Sequence, residues 1–403
     1  MLAFILSGPM DPLSPLPAMA ALLLAIATSF VLAQRFGAPP SAGRYASIDG
    51  LRGYLALFVF FHHASIWYFY LRSGRWDVPP SNLYTHFGQS SVALFFMITG
   101  FLFFSKLISG RSKPIDWASL FISRVLRLLP LYLFVMLLLA VIVIVLSHGV
   151  LNEPPFKLIK ESVHWLGFTV LGAPNVNGVE HTANIVAWVT WSLPYEWFFY
   201  FSLPVLALSV GVMPPLRYIA LGVASIVALF FWHPEAHHLL AFCGGIAACA
   251  FVRVERFRRF AASTGGSVVA VACVALAVAA YPSAYGIVPL LLLATSFALI
   301  ACGATLFGAL ASPLSRTLGE MAYSIYLLHG MTLFIAFNFV FATSTARTFS
   351  PLTHWLVVIA LTPVLVAMSF LTFHLIEKPA MQSTPAFMAW LRSRPIFAAV
   401  KPG

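Results

Sequence analysis

Charged side chains are scarce in this sequence, where they make up 9% of 403 residues against 61% hydrophobic residues. Soluble domains carry about 25% charged residues, and the mean hydropathy of this chain is +0.92. Two or three ordinary soluble domains are therefore excluded. The composition indicates a protein whose surroundings are largely lipid.

Metal-ligand patterns and basic stripes are also missing. The cysteines Cys243, Cys249, Cys273 and Cys302 lie in apolar runs without the spacing of metal ligands, so they predict neither a disulfide framework nor a metal site. The net charge of +11 comes from basic residues at the ends of apolar runs. Because these residues form no stripe with interleaved aromatics, nucleic acid is not an expected partner.

The sequence contains long, continuous apolar runs. Backbone polar groups inside a bilayer are satisfied only in helices or closed barrels, and continuous rather than alternating runs favour helices. We therefore predict an all-α, polytopic transmembrane helix bundle of about ten to eleven spans. The eleven candidate runs cover roughly residues 16–33, 53–71, 87–108, 128–147, 188–210, 217–232, 236–252, 266–281, 285–308, 318–341 and 352–376.

The distribution of basic residues orients these runs. If the N-terminus faces outward, the alternation of eleven spans assigns eighteen of the 23 Lys and Arg residues to the cytoplasmic side, as the positive-inside rule requires. The C-terminus is then cytoplasmic. No Lys or Arg precedes the first run, so we expect residues 16–33 to be a retained span rather than a cleaved signal peptide.

Ionisable residues inside a membrane are costly, so the few that the apolar runs retain are candidates for function. Arg52 and His63 lie eleven residues apart in the segment SIDGLRGYLALFVFFHHA. In a helix this spacing brings both to one face, with His63 about 16 Å deeper, whereas His62 points away. Taken alone, the pair is equally well explained by a helix-end arginine and a packed histidine.

Two further groups stand just before the fourth run and within the fifth. Arg124 and Arg127 face the same way at i, i+3, and paired guanidiniums suit phosphate recognition. For this pair alone, an anchor for lipid head groups is the simpler interpretation. Ser192, Glu196 and Tyr200 recur at i, i+4 and i+8 along one helical stripe, where a buried glutamate needs a proton, a partner or water.

The tenth run holds Tyr326 and His329, three residues apart. The depth expected for His329 matches that of His63, and two histidines at one level predict a polar chamber. A basic inner vestibule and a buried chamber suit a charged cytoplasmic donor whose reactive end reaches an acceptor across the bilayer. They suit a proton-coupled transporter nearly as well, and the residues alone leave that choice open.

At these same segments the sequence resembles acyltransferase family 3, membrane-bound O-acyltransferases that acetylate bacterial surface glycans. The segments DGLRG with its spaced histidine, LFFMITGFL, RVLR, WSLPYEWFFY, SIYLLHG and EKP occur in the family's order. The resemblance covers residues 45 to about 380. We therefore predict an acyltransferase membrane domain at 45–380, an additional span and linker at 1–44, and a cytoplasmic tail at 381–403.

The resemblance implies transfer of an acyl group, most often acetyl, from cytoplasmic acetyl-CoA to a hydroxyl of a surface or exported glycan. The acyl-CoA donor, the glycan acceptor and membrane lipid are then the expected partners, no metal is required, and the location is the bacterial inner membrane. Arg52 and His63 match an arginine and a histidine that family members need for activity. Arg124 and Arg127 match a pair that helps to hold the donor.

We expect His63 to act as a general base on the acceptor hydroxyl, or to carry the acyl group transiently. Glu196 and His329 complete the predicted catalytic set, with Glu196 orienting His63 or removing the proton. The supporting residues are Ser192, Tyr200 and Tyr326, and the thioester carbonyl could be polarised by Ser192, Tyr326 or His329. The alternative function is a proton-coupled transporter or flippase of a glycan or lipid intermediate, which would consume no acyl-CoA.

Overall fold

The structure is a computed structural model that describes residues 11–37, 39 and 45–394. Within these ranges the chain is helical apart from turns and loops, and its β-structure is limited to an isolated antiparallel bridge between Val176 and Val179. The prediction of an all-α protein is confirmed. The end of the predicted linker, residues 40–44, and the end of the predicted tail, residues 395–403, lie outside the described residues.

The described ranges contain eighteen α-helices in chain order. They are α1 (Pro15–Phe36), α2 (Ala46–Ser73), α3 (Asn82–Ser109), α4 (Trp117–Leu146), α5 (Pro155–Leu166), α6 (Thr182–Ile185), α7 (Ser192–Ser209), α8 (Leu216–Trp232), α9 (Ala236–Phe251), α10 (Glu255–Ala261), α11 (Thr264–Ala280), α12 (Ile287–Ala301), α13 (Pro313–Glu320), α14 (Ala322–Ile335), α15 (Thr343–Ala346), α16 (Pro351–Thr372), α17 (Lys378–Gln382) and α18 (Thr384–Arg392). A 3-10 turn at Val189–Trp191 leads into α7, and π-helical turns at Ala336–Val340 and Phe373–Glu377 follow α14 and α16.

Six helical segments of the described chain are long and apolar enough to cross a membrane. They are Pro15–Phe36, Ala46–Ser73, Asn82–Ser109, Trp117–Leu146, Ala322–Val340 and Pro351–Arg392. Helices α9 and α10 meet at an angle of 109° and give a seventh span if the pair is counted as one. The chain is thus an integral membrane protein by the length and composition of its helices.

The predicted number of ten to eleven spans is not confirmed. Each predicted apolar run coincides with helix, but α8, α11 and α12 have only 17, 17 and 15 residues. Helices of this length rise about 22 to 26 Å, which is less than the roughly 30 Å of a hydrocarbon core. Gly286 and Gly303, the latter at a φ of +123°, border α12 and limit its length.

The chain forms two compact units. Unit 1 takes in the described parts of Met1–Phe101, Ala183–Val189 and Glu235–Phe370, and unit 2 those of Leu102–Thr182, Thr190–Pro234 and Leu371–Gly403. Helices α2, α13 and α14 therefore belong to unit 1, whereas α4, α7 and α18 belong to unit 2.

Within unit 1, glycines let α2 approach its neighbours at backbone distance. A Cβ on Gly50 would lie 2.0 Å from the carbonyl oxygen of Leu310, and a Cβ on Gly53 would lie 2.5 Å from the Cβ of Leu318 on α13. Any side chain at these two positions would push the helices apart. The glycines of the DGLRG segment thus fix the first turns of α2, on which Arg52 stands.

Within unit 2, the segment that follows α4, up to residue 182, folds around a buried asparagine. The backbone N–H of Asn177 donates to the carboxylate of Glu161 at 3.1 Å, and its side-chain amide donates to the carbonyl oxygen of Val150 at 2.9 Å. Its side-chain oxygen accepts from the backbone N–H of Asn152 at 2.8 Å. The backbone N–H, the side-chain amide and the side-chain oxygen of Asn177 thus all have hydrogen-bond partners, so the segment is an ordered substructure.

Candidate active site

Two histidines of unit 1 meet where α2 and α14 pack together; we call His63 and His329 the histidine pair. Nε2 of His329 lies 3.0 Å from Nδ1 of His63, and the ring centroids are 5.0 Å apart. His329 is fully buried, whereas His63 is half-buried. The expectation that the two histidines lie at one depth is confirmed by this hydrogen bond.

The hydrogen bonds around the pair indicate where its protons lie. Nδ1 of His63 is 3.0 Å from the carbonyl oxygen of Val59, and Nδ1 of His329 is 3.1 Å from that of Ile325. Because a carbonyl oxygen only accepts, both Nδ1 atoms carry protons. Nε2 of His329 then accepts from the N–H of His63, since a second N–H there would point at the first. In the neutral form of His63, this tautomer places the lone pair on Nε2.

Helix α14 is held against residues 183–189. A Cβ on Gly330 would lie 2.5 Å from the carbonyl carbon of Val186, so the close approach requires glycine. The hydroxyl of Tyr326 donates to the carbonyl oxygen of Val189 at 3.0 Å. Two residues of the SIYLLHG segment therefore position the helix that carries His329, and the hydroxyl proton of Tyr326 is directed to the backbone.

His62 has a packing role beside the pair. Its Nδ1 donates to the carbonyl oxygen of Tyr84 at 2.7 Å, and a Cβ on Gly88 would lie 2.5 Å from its ring. The imidazole therefore lies flat against the backbone of α3. This agrees with the sequence-based placement of His62 away from the face of His63.

Arg52 stands on the same continuous helix as His63. Both residues belong to α2, which is unbroken from Ala46 to Ser73. Eleven residues of regular helix bring the two side chains to one face about 16 Å apart along the axis. Arg52 is half-buried. The predicted common face of Arg52 and His63 is thus present in the structure.

The predicted residues of α4 and α7 meet in unit 2, where Arg124, Phe103, Glu196 and Tyr200 form what we call the arginine cluster. The hydroxyl of Tyr200 donates a hydrogen bond to the carboxylate of Glu196. The guanidinium carbon of Arg124 lies 5.2 Å from the ring centroid of Phe103, whose ring is 4.9 Å from that of Tyr200. Arg124 also interacts electrostatically with Tyr200 and Glu196. The stripe of Glu196 and Tyr200 predicted at i, i+4 is confirmed.

Arg124 retains capacity to bind a ligand. Its Nε is buried and has no hydrogen-bond partner within the part of the chain that the structure describes. A buried charged donor in this state is costly unless a ligand or water accepts from it. A phosphate or carbonyl oxygen would satisfy this N–H, and a guanidinium is well suited to either.

Three further side chains of unit 2, two cations and one serine, are associated with the arginine cluster. Arg127 donates to the sulfur of Met381 at 3.6 Å, a weak acceptor. Lys106, near the end of α3, interacts electrostatically with Arg124. Sequence analysis missed Lys106, although its spacing of three residues from Phe103 places both on one side of α3. Ser192 is buried in the first turn of α7, on the stripe of Glu196 and Tyr200.

An aromatic residue beside His63 was also missed. Trp76, in the loop after α2, has its ring centroid 6.3 Å from that of His63, with the two planes inclined by 28°. Periodicity could not reveal this contact, because Trp76 lies beyond the end of the helix. Among the described residues, no group of three or more His, Cys, Asp or Glu side chains could hold a metal ion.

Comparison with known families gives one finding. The model of acyltransferase family 3, described as an acyltransferase domain, matches residues 45–374. The matched range contains the histidine pair, the arginine cluster and Arg52, and it ends within the π-helical turn that follows α16. Neither the search of the curated proteins nor that of the solved structures gives a significant match.

Proposed function

We propose that this chain, which belongs to acyltransferase family 3, is an O-acyltransferase that moves an acetyl group from acetyl-CoA to a hydroxyl of a surface or exported glycan. The observation that carries the proposal is the hydrogen bond between Nδ1 of His63 and Nε2 of His329. It leaves a neutral imidazole lone pair inside a membrane protein, where a general base can work without a buried charge.

The transfer step follows from this arrangement. Nε2 of His63 accepts the proton of the acceptor hydroxyl while the hydroxyl oxygen attacks the thioester carbonyl carbon. When the tetrahedral intermediate collapses, the C–S bond breaks and the imidazolium of His63 returns the proton to the departing thiolate of coenzyme A. General-base catalysis of this kind contributes a factor of about 10² to 10⁴.

In this proposal His329 is a positioning residue. It accepts a hydrogen bond from Nδ1 of His63, as the third member of a catalytic triad does, and so holds the imidazole in one orientation and one tautomer. Because His329 is neutral, it stabilises the imidazolium through a hydrogen bond rather than through a full charge. Its fully buried ring, held by the carbonyl oxygen of Ile325, makes that orientation rigid.

We assign donor recognition to Arg124 and Arg127, with Arg52 as a further cation for the phosphates. The buried, unsatisfied Nε of Arg124 supports this assignment, because charge-assisted hydrogen bonds to phosphate oxygens are stronger than neutral ones. Glu196, which pairs with Tyr200 and interacts with Arg124, then serves to position the guanidinium. The bias of basic residues supports an inner-membrane location with a cytoplasmic C-terminus.

The test is acetyl transfer by purified full-length protein in nanodiscs. With acetyl-CoA carrying a labelled acetyl group and a host glycan extract as acceptor, we expect release of free thiol together with labelled acetyl ester on the glycan. Movement of glycan across proteoliposomes with acetyl-CoA left intact would contradict the proposal and favour a transporter. Omission of the extract serves as the control for simple hydrolysis of the thioester.

A further inference from the structure

We infer that Trp76 is the platform on which the sugar ring of the acceptor stacks while one of its hydroxyls reaches His63. The inference rests on the proposed function and deepens it, since it identifies where the acceptor binds and by which chemistry. Trp76 and His63 both belong to unit 1.

The indole of Trp76 folds back along the helix that carries the proposed base. Its ring centroid lies 5.2 Å from that of Tyr70 and 5.5 Å from that of Trp67, both edge-to-face, and 6.3 Å from that of His63. Positions 63, 67 and 70 share one face of α2 at i, i+4 and i+7. The indole therefore covers the stripe that leads from the end of α2 to the imidazole.

The loop that carries Trp76 is anchored on both sides. The N–H of Gly74, at a φ of +72°, donates to the carbonyl oxygen of Tyr70 at 2.8 Å and closes α2, which is the ordinary function of a glycine at this position. On the other side, the hydroxyl of Thr85 donates to the carbonyl oxygen of Pro79 at 3.2 Å. Trp76 is thus held in place before a ligand binds, which lowers the entropy cost of binding.

The ring behind Trp76 belongs to the core. Trp67 is 1% exposed and contacts Phe334 and Phe337, which follow one another along α14 and its π-helical turn. Trp76 itself is only half-buried, so part of the indole remains open to a ligand. A rigid backing and an open surface are what a stacking platform requires.

The neighbours of Trp76 match the chemistry of a sugar. Arg75 and Asp77 form an ion pair at 3.1 Å, with side chains that are 80% and 63% exposed. A pyranose has an apolar C–H face that packs on an indole and hydroxyl groups at its edge that bond to guanidinium and carboxylate groups. A sugar ring in contact at about 4 Å with the exposed part of the indole would have the imidazole of His63 as a neighbour, because the centroids of the two side-chain rings are 6.3 Å apart.

An interfacial anchor is the competing explanation for a tryptophan at the end of a membrane helix. Such an anchor would explain the contact of Trp76 with Tyr70. It gives no reason for the indole to lie nearly parallel to the imidazole of His63, at an inclination of 28°.

The test measures sugar binding directly, without turnover. Saturation-transfer NMR would be recorded on the full chain in nanodiscs with the methyl glycosides of glucose, galactose, mannose, rhamnose and N-acetylglucosamine as probes. The variants are Trp76→Leu, which keeps apolar bulk against Tyr70, and Trp76→Phe, which keeps an aromatic face. Trp390→Leu is the matched control, because Trp390 is 48% exposed and lies on α18 in unit 2.

We expect at least one glycoside to bind the wild type, Trp76→Phe and Trp390→Leu, and to bind Trp76→Leu at least about fivefold more weakly. Equal binding by Trp76→Leu, or no binding of any glycoside by the wild type, would overturn the inference. If Trp76→Leu does not fold, Trp76→Phe decides the matter: its smaller aromatic face should bind the glycoside measurably more weakly than the wild type and Trp390→Leu do, and unchanged binding would overturn the inference.

Steady-state kinetics separates this inference from the proposed function. Trp76→Leu should raise the KM for the acceptor about fivefold or more and leave the KM for acetyl-CoA unchanged. Turnover with an unaltered acceptor KM would overturn the platform and leave the acyltransferase intact. Glycoside binding that depends on Trp76, without consumption of acetyl-CoA by the wild type, would overturn the acyltransferase and leave the platform intact.

Discussion

The histidine pair and the arginine cluster bury polar groups by different means. In the pair, His63 and His329 share one hydrogen bond, and their remaining bonds end on backbone carbonyl oxygens of their own helices. In the cluster, the charge of Arg124 is accompanied by a carboxylate, a phenol and an aromatic face. A neutral pair needs no counter-ion in an apolar protein, whereas a buried charge does.

This difference assigns separate tasks to the two clusters. A neutral imidazole with an available lone pair can take a proton and return it, so the histidine pair is suited to chemistry. A guanidinium with an unsatisfied buried N–H attracts an anion and stays protonated at physiological pH. The arginine cluster is therefore suited to recognition rather than to proton transfer. Substitutions in the first should lower kcat, and those in the second should raise the KM for the donor.

Loss of His329 should have the largest effect among the residues that do not touch the reacting atoms. We expect His329→Ala to lower kcat about 100-fold, because His63 loses the acceptor that orients its ring and stabilises its imidazolium, with the KM for acetyl-CoA unchanged. His329→Gln places an amide oxygen near the position of Nε2 and should restore much of the rate. A raised donor KM with an unaltered kcat would instead assign His329 to binding.

Loss of Arg124 should act on the KM for acetyl-CoA rather than on kcat. We expect Arg124→Gln to raise the KM for acetyl-CoA about 10- to 100-fold, because a buried charge-assisted hydrogen bond is lost, while kcat changes little. Arg217→Gln is the matched control, since Arg217 also lies over an aromatic ring, at 4.8 Å from Tyr218, but is exposed. Equal effects of the two substitutions would contradict donor recognition by the arginine cluster.

A methyl group at the start of α2 should lower the amount of folded protein in the membrane. In Gly53→Ala the new Cβ would lie 2.5 Å from the Cβ of Leu318 and 2.8 Å from the backbone nitrogen of Gly319. Overpacking of this kind costs about 1 to 3 kcal/mol, which reduces abundance several-fold. Gly265→Ala is the control, because its nearest neighbour is the hydroxyl of Ser263 at 3.5 Å; equal abundance of the two variants would contradict close packing at Gly53.

The smallest effect is expected at an exposed ion pair of unit 2. Arg392 on α18 pairs with Asp116, the N-cap of α4, at 2.5 Å, and the side chains are 62% and 47% exposed. Such pairs contribute about 0 to 1 kcal/mol to stability, so Arg392→Gln should leave thermal stability and the donor KM within experimental error. A clear rise in donor KM would extend the recognition surface to this pair.

The features that follow from regular α-helical geometry could be predicted from the sequence. The shared face of Arg52 and His63, the equal depth of His63 and His329, and the contact of Glu196 with Tyr200 all follow from 3.6 residues per turn and a fixed rise. These relations hold because each involves positions within one unbroken helix or depths counted from helix ends.

Three features could not be obtained in this way. Trp76 reaches His63 through a loop that reverses direction after Gly74, and helical periodicity does not extend through such a turn. Lys106 and Arg124 stand on different helices, so helical periodicity does not predict the electrostatic interaction between them. The number of spans is the third, because hydropathy measures the length of apolar runs, whereas glycine and proline at their ends determine how much of each run is helix.

The most direct test of the central assignment compares adjacent histidines on one helix. His63→Ala should lower kcat for acetyl transfer by a factor of about 10² to 10⁴. His62→Gln, whose parent side chain bonds to the carbonyl oxygen of Tyr84, should stay within about threefold of the wild type if its folded amount is matched. Full activity of His63→Ala in folded protein would contradict His63 as the base.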